Sequence, residues 1–196
     1  MDAETLKYIF LSASIPIPSR DEEKYLNTAD VIAIRDAVIA LASVALPKFH
    51  LVWGGHPSIT PLIANVLTHS DTSAKDNVTL YQSKQYEGVF PIENREIGLI
   101  VYTEKGKDDR ESIHIMRKQM LCDYSFVAGI FIGGMNGVEE EYQMFKEYHP
   151  KALLIPVAST GAAAKIIFEK EKARFDPRLE TDLAYFFLFK NLLGKL

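Results

Sequence analysis

The chain has 196 residues, 47% hydrophobic and 24% charged, with a formal net charge of −4 and a sequence pI of about 5.8. That length and composition suit one soluble domain with a sizeable core, and the acidic balance argues against a dedicated nucleic-acid surface. No run of about 18 uncharged apolar residues offers a membrane-spanning helix, and the single cysteine, Cys122, excludes an intramolecular disulfide and fits a reducing cytoplasm.

Lys7-Tyr8-Ile9-Phe10-Leu11 reads as part of a buried first strand over residues 8–13, not as the apolar core of a signal peptide. Residues 30–46 carry apolar side chains at three-and-four spacing (Ile34, Val38, Leu41, Ala45) and predict a helix capped by Asp30. A strand over 50–53 is followed by a helix over 58–67, with Ser58 as its cap and Pro61 in its first turn. Short strands are expected over 78–82 and 97–103, and polar surface turns over 71–77 and 105–110. Residues 110–122 predict an amphipathic helix of mixed charge, with Cys122 in the core. Residues 125–132 are a continuous apolar run, as a central parallel strand should be. A helix over 138–148, a strand over 152–157 and a helix over 160–170 follow. The last expected element is an aromatic-rich helix over 181–193, with Tyr185, Phe186, Phe187 and Phe189 as a packing or dimer face. Strands alternating with helices in this way predict an α/β fold. It would be a Rossmann-like, doubly wound, mainly parallel sheet of six or seven strands, forming a single domain over residues 1–196.

Ligands of such sheets sit at the carboxyl ends of the strands, near the point where the strand order reverses. Four segments fall there. Gly54-Gly55-His56-Pro57-Ser58-Ile59-Thr60 closes the second strand on a glycine pair, with Ser58 and Thr60 at the next helix start, where hydroxyls and backbone N–H groups suit a phosphate. It lacks the Gly-Lys-Ser/Thr ending of a Walker P-loop and is not Gly-x-Gly-x-x-Gly, so an ordinary NAD site is not expected. Gly133-Gly134-Met135-Asn136-Gly137 closes the central strand and is followed by Glu139-Glu140-Glu141. Acids in a first helical turn gain about 0.3–1 kcal/mol each from the helix dipole. Alternatively, one of them faces the pocket and holds ribose hydroxyls or acts as a general base, with Glu140 and Glu141 as candidates. Ser12-Ala13-Ser14 ends the first strand, and Ser159-Thr160-Gly161 stands at the start of the fifth predicted helix, over 160–170. Arg20, in a loop punctuated by Pro16 and Pro18, and Arg35 are further phosphate candidates, because guanidinium forks match phosphate. His56 is read as a ligand hydrogen-bonding or turn-packing residue in preference to a base. No cofactor is expected, and no Cys/His cluster has zinc spacing, so no metal is expected either.

The first-strand Ser-Ala-Ser, the Gly-Gly-His-Pro turn and the Gly-Gly-Met-Asn-Gly turn with three acids behind it together resemble the SLOG superfamily, over about residues 8–170. That group unites the DNA-processing Smf protein and the Lonely Guy cytokinin-activating proteins on a Rossmann-like fold that binds nucleotides and their derivatives. Lonely Guy enzymes carry Pro-Gly-Gly-x-Gly-Thr-x-x-Glu. Here Ile132 replaces the proline, the third glycine falls one residue late at Gly137, and Val138 stands where the threonine belongs. The equivalent acid is Glu141 counted from the late glycine, or Glu140 counted from the pair.

These departures are more similar to sensor-type SLOG domains of bacterial conflict systems, which accompany TIR, sirtuin-like or membrane effectors. The resemblance therefore implies a sensor of a nucleotide or an NAD- or ADP-ribose-derived molecule in antiviral or stress signalling. It also implies homo-oligomers and a separate or fused effector. The alternative it implies is a phosphoribohydrolase acting on nucleoside monophosphates, with Glu141 or Glu140 as the catalytic acid residue.

Overall fold

The computed structural model of the chain describes residues 6–196. Its strands are β1 (Lys7–Ser14), β2 (Phe49–Gly54), β3 (Val78–Ser83), β4 (Leu99–Thr103), β5 (Phe126–Gly133) and β6 (Leu153–Val157). Its α-helices are α1 (Glu23–Leu26), α2 (Val31–Ala45), α3 (Thr60–Thr68), α4 (Asp109–Cys122), α5 (Asn136–Tyr148), α6 (Ala162–Lys170), α7 (Arg178–Thr181) and α8 (Tyr185–Leu193). The six strands form one sheet in the order β4-β3-β2-β1-β5-β6, with every neighbouring pair parallel. The chain steps outward from β1 to β4, returns through α4 to β5 on the other side of β1, and continues outward to β6. The order therefore reverses beside β1, as in a Rossmann-like doubly wound sheet.

Period-two alternation divides the core. Ile9 and Leu11 of β1, Leu51 and Trp53 of β2, and Ala128, Ile130 and Ile132 of β5 pack with α2, α3 and α8 on one face. Phe10, Val52, Tyr81 and Phe131 face the other way, against α4, α5 and α6. There Phe10 stacks on Phe145 at 5.4 Å, and Phe131 meets Tyr142 and Phe145 edge-on. Gly129 of β5 is small because a Cβ would press on the Phe145 ring at 2.7 Å. The expected cap of α2 is present: Asp30 Oδ1 accepts from the Ala33 N–H at 2.9 Å.

Several boundaries differ from the expectation for local reasons. Helix α3 starts at Thr60, because the Ile59 and Thr60 N–H groups both donate to the His56 carbonyl and residues 57–59 are spent in a turn. Ser58 consequently does not cap α3, whose N-cap is Ile59 without a side-chain bond. Helix α5 starts at Asn136, so Gly137 lies inside its first turn. Residues 158–160 form a 3₁₀ turn, and α6 begins only at Ala162. The final helix, expected over 181–193, starts only at Tyr185, and a separate short helix, α7, precedes it. Asp182 separates the two, its carboxylate accepting from the Ala184 N–H and its carbonyl from the Ser159 hydroxyl. Cys122 is exposed rather than in the core. It is the last residue of α4, one position beyond the buried Met116, Met120 and Leu121 stripe, and so faces water.

Of the aromatic set, Tyr185 and Phe189, four apart, are buried, whereas Phe186 and Phe187 are exposed. No helix among the described residues is long and apolar enough to cross a membrane.

Gly161 ties the two halves of this layer together. It lies at φ 72°, ψ −158°, a region open essentially to glycine alone, and a Cβ would overlap the Thr28 carbonyl in the α1–α2 loop. Gly161→Ala is expected to destabilise the fold by about 1–3 kcal/mol or more, read as a lower urea midpoint with an unchanged slope.

Candidate functional site

At the carboxyl ends of β1, β2 and β5 the two sets of connections diverge, and a cleft opens between them. Its deep part, of about 350 Å³, is walled by Ala13 and Ser14 at the end of β1, by Gly54 at the end of β2, and by Gly55 and His56 just beyond it. Met135, Asn136 and Gly137 at the start of α5 complete that wall, with Glu141 one turn further on. A second chamber of about 340 Å³ continues from it toward the β3–β4 connection, and both are bordered by Arg20, Gly55, His56, Tyr86, Ile113 and Met116.

The turn after β5 is built by glycine. Gly133 and Gly134 have φ of 55° and 89°, and a Cβ on either would run into Ile34 or Val138. Freed from side chains, this turn is bonded on both sides: the Gly134 N–H donates to the Ser14 carbonyl at 2.8 Å, and the Gly134 carbonyl accepts from the Ala163 N–H at 3.2 Å. The result aims the N-terminus of α5 into the cleft. Met135 occupies its N-cap in an extended conformation and supplies no capping bond. The positive end of a thirteen-residue helix therefore meets the cleft without a side-chain acceptor.

The three consecutive glutamates go to three places. Glu139 turns away to α1 and α6, accepting from the Tyr25 hydroxyl at 2.8 Å and from Lys170 at 2.7 Å. Glu140 stays exposed at the rim and pairs with Arg117. Glu141 alone lines the cleft, where its Oε2 accepts from the Ser12 hydroxyl at 2.5 Å and its Oε1 from Arg117 Nε at 3.0 Å. Both partners of that ion pair are largely buried, at 14% and 13% side-chain exposure. Arg117 reaches this position from α4 because Gly137 has no side chain; a Cβ there would stand 2.6 Å from the guanidinium.

His56 is held by the turn it begins. Its Nδ1 lies 2.7 Å from the Ser58 hydroxyl and 3.3 Å from the Ser58 N–H. A backbone N–H can only donate, so Nδ1 accepts and the neutral ring carries its proton on Nε2. Burial, aided by the nearby Arg20 charge, pushes the His56 pKa down to about 4. At neutral pH the cleft thus holds an uncharged imidazole donor, which suits hydrogen bonding to a ligand.

Several expected site residues, Gly133 and Gly134 among them, serve the frame and do not line the cleft. Ser12 is buried behind Glu141, and Ser58 supports His56. Thr60 is fully buried on the opposite face of the sheet, accepting from Trp53 Nε1 at 3.3 Å. Thr160 locks the turns together, its hydroxyl accepting from the Gly133 N–H at 2.8 Å and donating to the Val157 carbonyl at 2.6 Å. Ser159 reaches Asp182 and Tyr185, and Gly161 packs on Thr28. Arg35 is exposed on α2 beside Asp36.

Conversely, Arg117, Tyr86, Ile113 and Met116 border the cleft although no glycine motif points to them. They sit on α4 and on the 3₁₀ turn over Lys84–Val89. The one sequence signal for Arg117 is its place next to the apolar stripe of α4. Among the described residues, no group of three His, Cys, Asp or Glu side chains is placed to hold a metal ion.

Two measurements check this geometry. Unfolded His56 titrates near pH 6.5 and folded His56 near 4, so between these values the unfolded chain holds the extra proton. Stability should therefore fall as the pH drops from about 6.5 to about 4, and His56→Gln should flatten that part of the curve. Arg117→Met strands the Glu141 carboxylate and should cost about 1–3 kcal/mol near neutral pH, recoverable in the double variant with Glu141→Gln.

Comparison with known proteins agrees with the architecture. No curated protein and no solved structure gives a significant match to the chain. A family model described as the SLOG cluster3 family matches residues 24–193, from α1 to the end of α8 and through every wall of the cleft except the β1 end and Arg20, and the chain belongs to that family.

Proposed function

We propose that this SLOG domain binds a nucleotide or an NAD- or ADP-ribose-derived small molecule in the cleft, and acts as a sensor of it. The observation that carries the reading is the uncapped N-terminus of α5, set at the point where the strand order reverses and bordered by Arg117, Arg20 and neutral His56. Helix N–H groups and guanidinium forks are the partners phosphate takes in proteins. A low-charge donor such as the His56 Nε2–H and an acceptor such as Asn136 suit ribose hydroxyls.

Binding is favoured over hydrolysis of an N-glycosidic bond by the state of Glu141. A carboxylate that faces a ribosyl cation works through its negative charge, and a guanidinium paired with it at 3.0 Å offsets that charge. Here one oxygen accepts from Ser12 and the other from Arg117. His56, held neutral by burial, is also engaged through its Nδ1 acceptor by Ser58. Membership of the SLOG cluster3 family supports the signalling context. In that context the ligand would relay its presence to a separate or fused effector, with the domain working as a homo-oligomer.

Thermal denaturation against AMP, ADP-ribose, cyclic ADP-ribose isomers, NAD and cyclic dinucleotides tests the reading. A true ligand at a hundredfold excess over Kd should add about 2.7 kcal/mol of stability and should be recovered intact by chromatography. Release of free base by the wild type but not by Glu141→Gln would instead make the protein a hydrolase. No shift with any member of the panel would overturn the nucleotide reading.

A further inference from the structure

The two chambers of the cleft differ in chemistry. The deep one is lined by Gly54 and Gly55, the α5 N-terminus with Gly137, Arg117 and Glu141. The second is walled by Pro57, Phe90, Pro91, Ile113 and Met116, and its polar groups besides the shared Arg20 and His56 are Gln82, Ser83 and Tyr86.

Gln82 is the unusual member. It is the penultimate residue of β3, is only 5% exposed, and its amide nitrogen has no hydrogen-bond partner. The space its carboxamide occupies is the one Gly55 leaves open, since a Cβ on Gly55 would overlap it. Leaving a buried amide donor unpaired is costly, and proteins rarely keep one without a use.

We propose that the second chamber seats the heterocyclic base of the ligand, with the Gln82 carboxamide hydrogen-bonding the base edge; this rests on the nucleotide reading of the deep chamber. A planar ring with apolar faces and a polar edge is the group these walls accept. The prolines, Phe90 and Met116 cover its faces, and Gln82 and Tyr86 meet ring nitrogens or exocyclic groups. A carboxamide offers a donor and an acceptor side by side, the pattern that pairs with the adjacent acceptor and donor on a base edge. A second phosphate is disfavoured here, because among the described residues the one cation bordering the chamber is Arg20, at the rim it shares with the deep chamber and already paired with Asp21 at 3.1 Å. Gly55 is then explained from two sides. It ends the β2 turn without blocking the cleft, and it lets Gln82 lie across the boundary between the chambers.

Calorimetric titration of the wild type and of Gln82→Met, with AMP, GMP, CMP, UMP, ADP-ribose and ribose 5-phosphate, tests this. Replacing an unpaired buried amide by an apolar side chain of similar length should leave the melting temperature unchanged or raised, so lost binding cannot be lost folding. At least one base-bearing compound should bind the wild type tenfold or more tightly than ribose 5-phosphate. Gln82→Met should remove that preference while leaving ribose 5-phosphate affinity as it was. Equal binding of base-bearing and base-less compounds, or a preference that Gln82→Met does not touch, would overturn the base chamber and leave the nucleotide reading standing. Binding of none of them would overturn both.

Discussion

The pairing of β1 with β2 on one side and β5 on the other, parallel to both, is the constraint on which the rest of the structure depends. Parallel neighbours oblige the chain to cross over after each strand, and on either side of β1 the crossovers leave by opposite faces. α2 and α3 cover one face, and α4, α5 and α6 the other. Their divergence leaves a gap at the carboxyl edge of β1 that no helix can fill. The cleft is thus a consequence of topology before any side chain is considered, and the glycine turns after β2 and β5 keep it open.

The closing of each turn is done by hydrogen bonds that span elements far apart in the chain. Gly134 bonds β1 through Ser14 and α6 through Ala163, while Thr160 links the ends of β5 and β6. Gly161 brings the α1–α2 loop against the same point. These ties put the glycines, serines and threonines at the strand ends under packing constraint. A ligand of the proposed kind would therefore meet a preformed wall and need not order a loop, which would lower the entropic cost of binding.

Charge in the cleft is arranged with the same economy. Arg117 and Glu141 neutralise each other where both are largely buried, as burial of either alone would require. His56 sheds its charge instead of finding a partner. The N-terminus of α5, whose N–H groups have no side-chain cap, is then the donor site left open in the deep chamber. An anionic ligand would answer it without having to displace an existing carboxylate cap.

Much of this was legible in the chain itself. The apolar run over 125–132, closed by Gly133-Gly134, identifies a central parallel strand, because both of its faces are buried. The Asp30 cap and the spacing of Ile34, Val38 and Leu41 mark α2 by local chemistry alone. The Gly133-Gly134 pair marks a strand end because its positive φ angles favour glycine, whereas Gly55 is glycine because a side chain there would meet Gln82. What sequence could not decide is which of three adjacent glutamates enters the cleft, since a helix rotates about 100° per residue and only the packing of α5 on β1 sets the phase. Nor could it show that Thr60 and Thr160 serve the core, or that Arg117 and Gln82 reach the cleft from elements distant in the chain. Local propensity and turn chemistry act over a few residues and were readable. The composition of the cleft depends on contacts across the sheet, and those exist only once the strands have found their order.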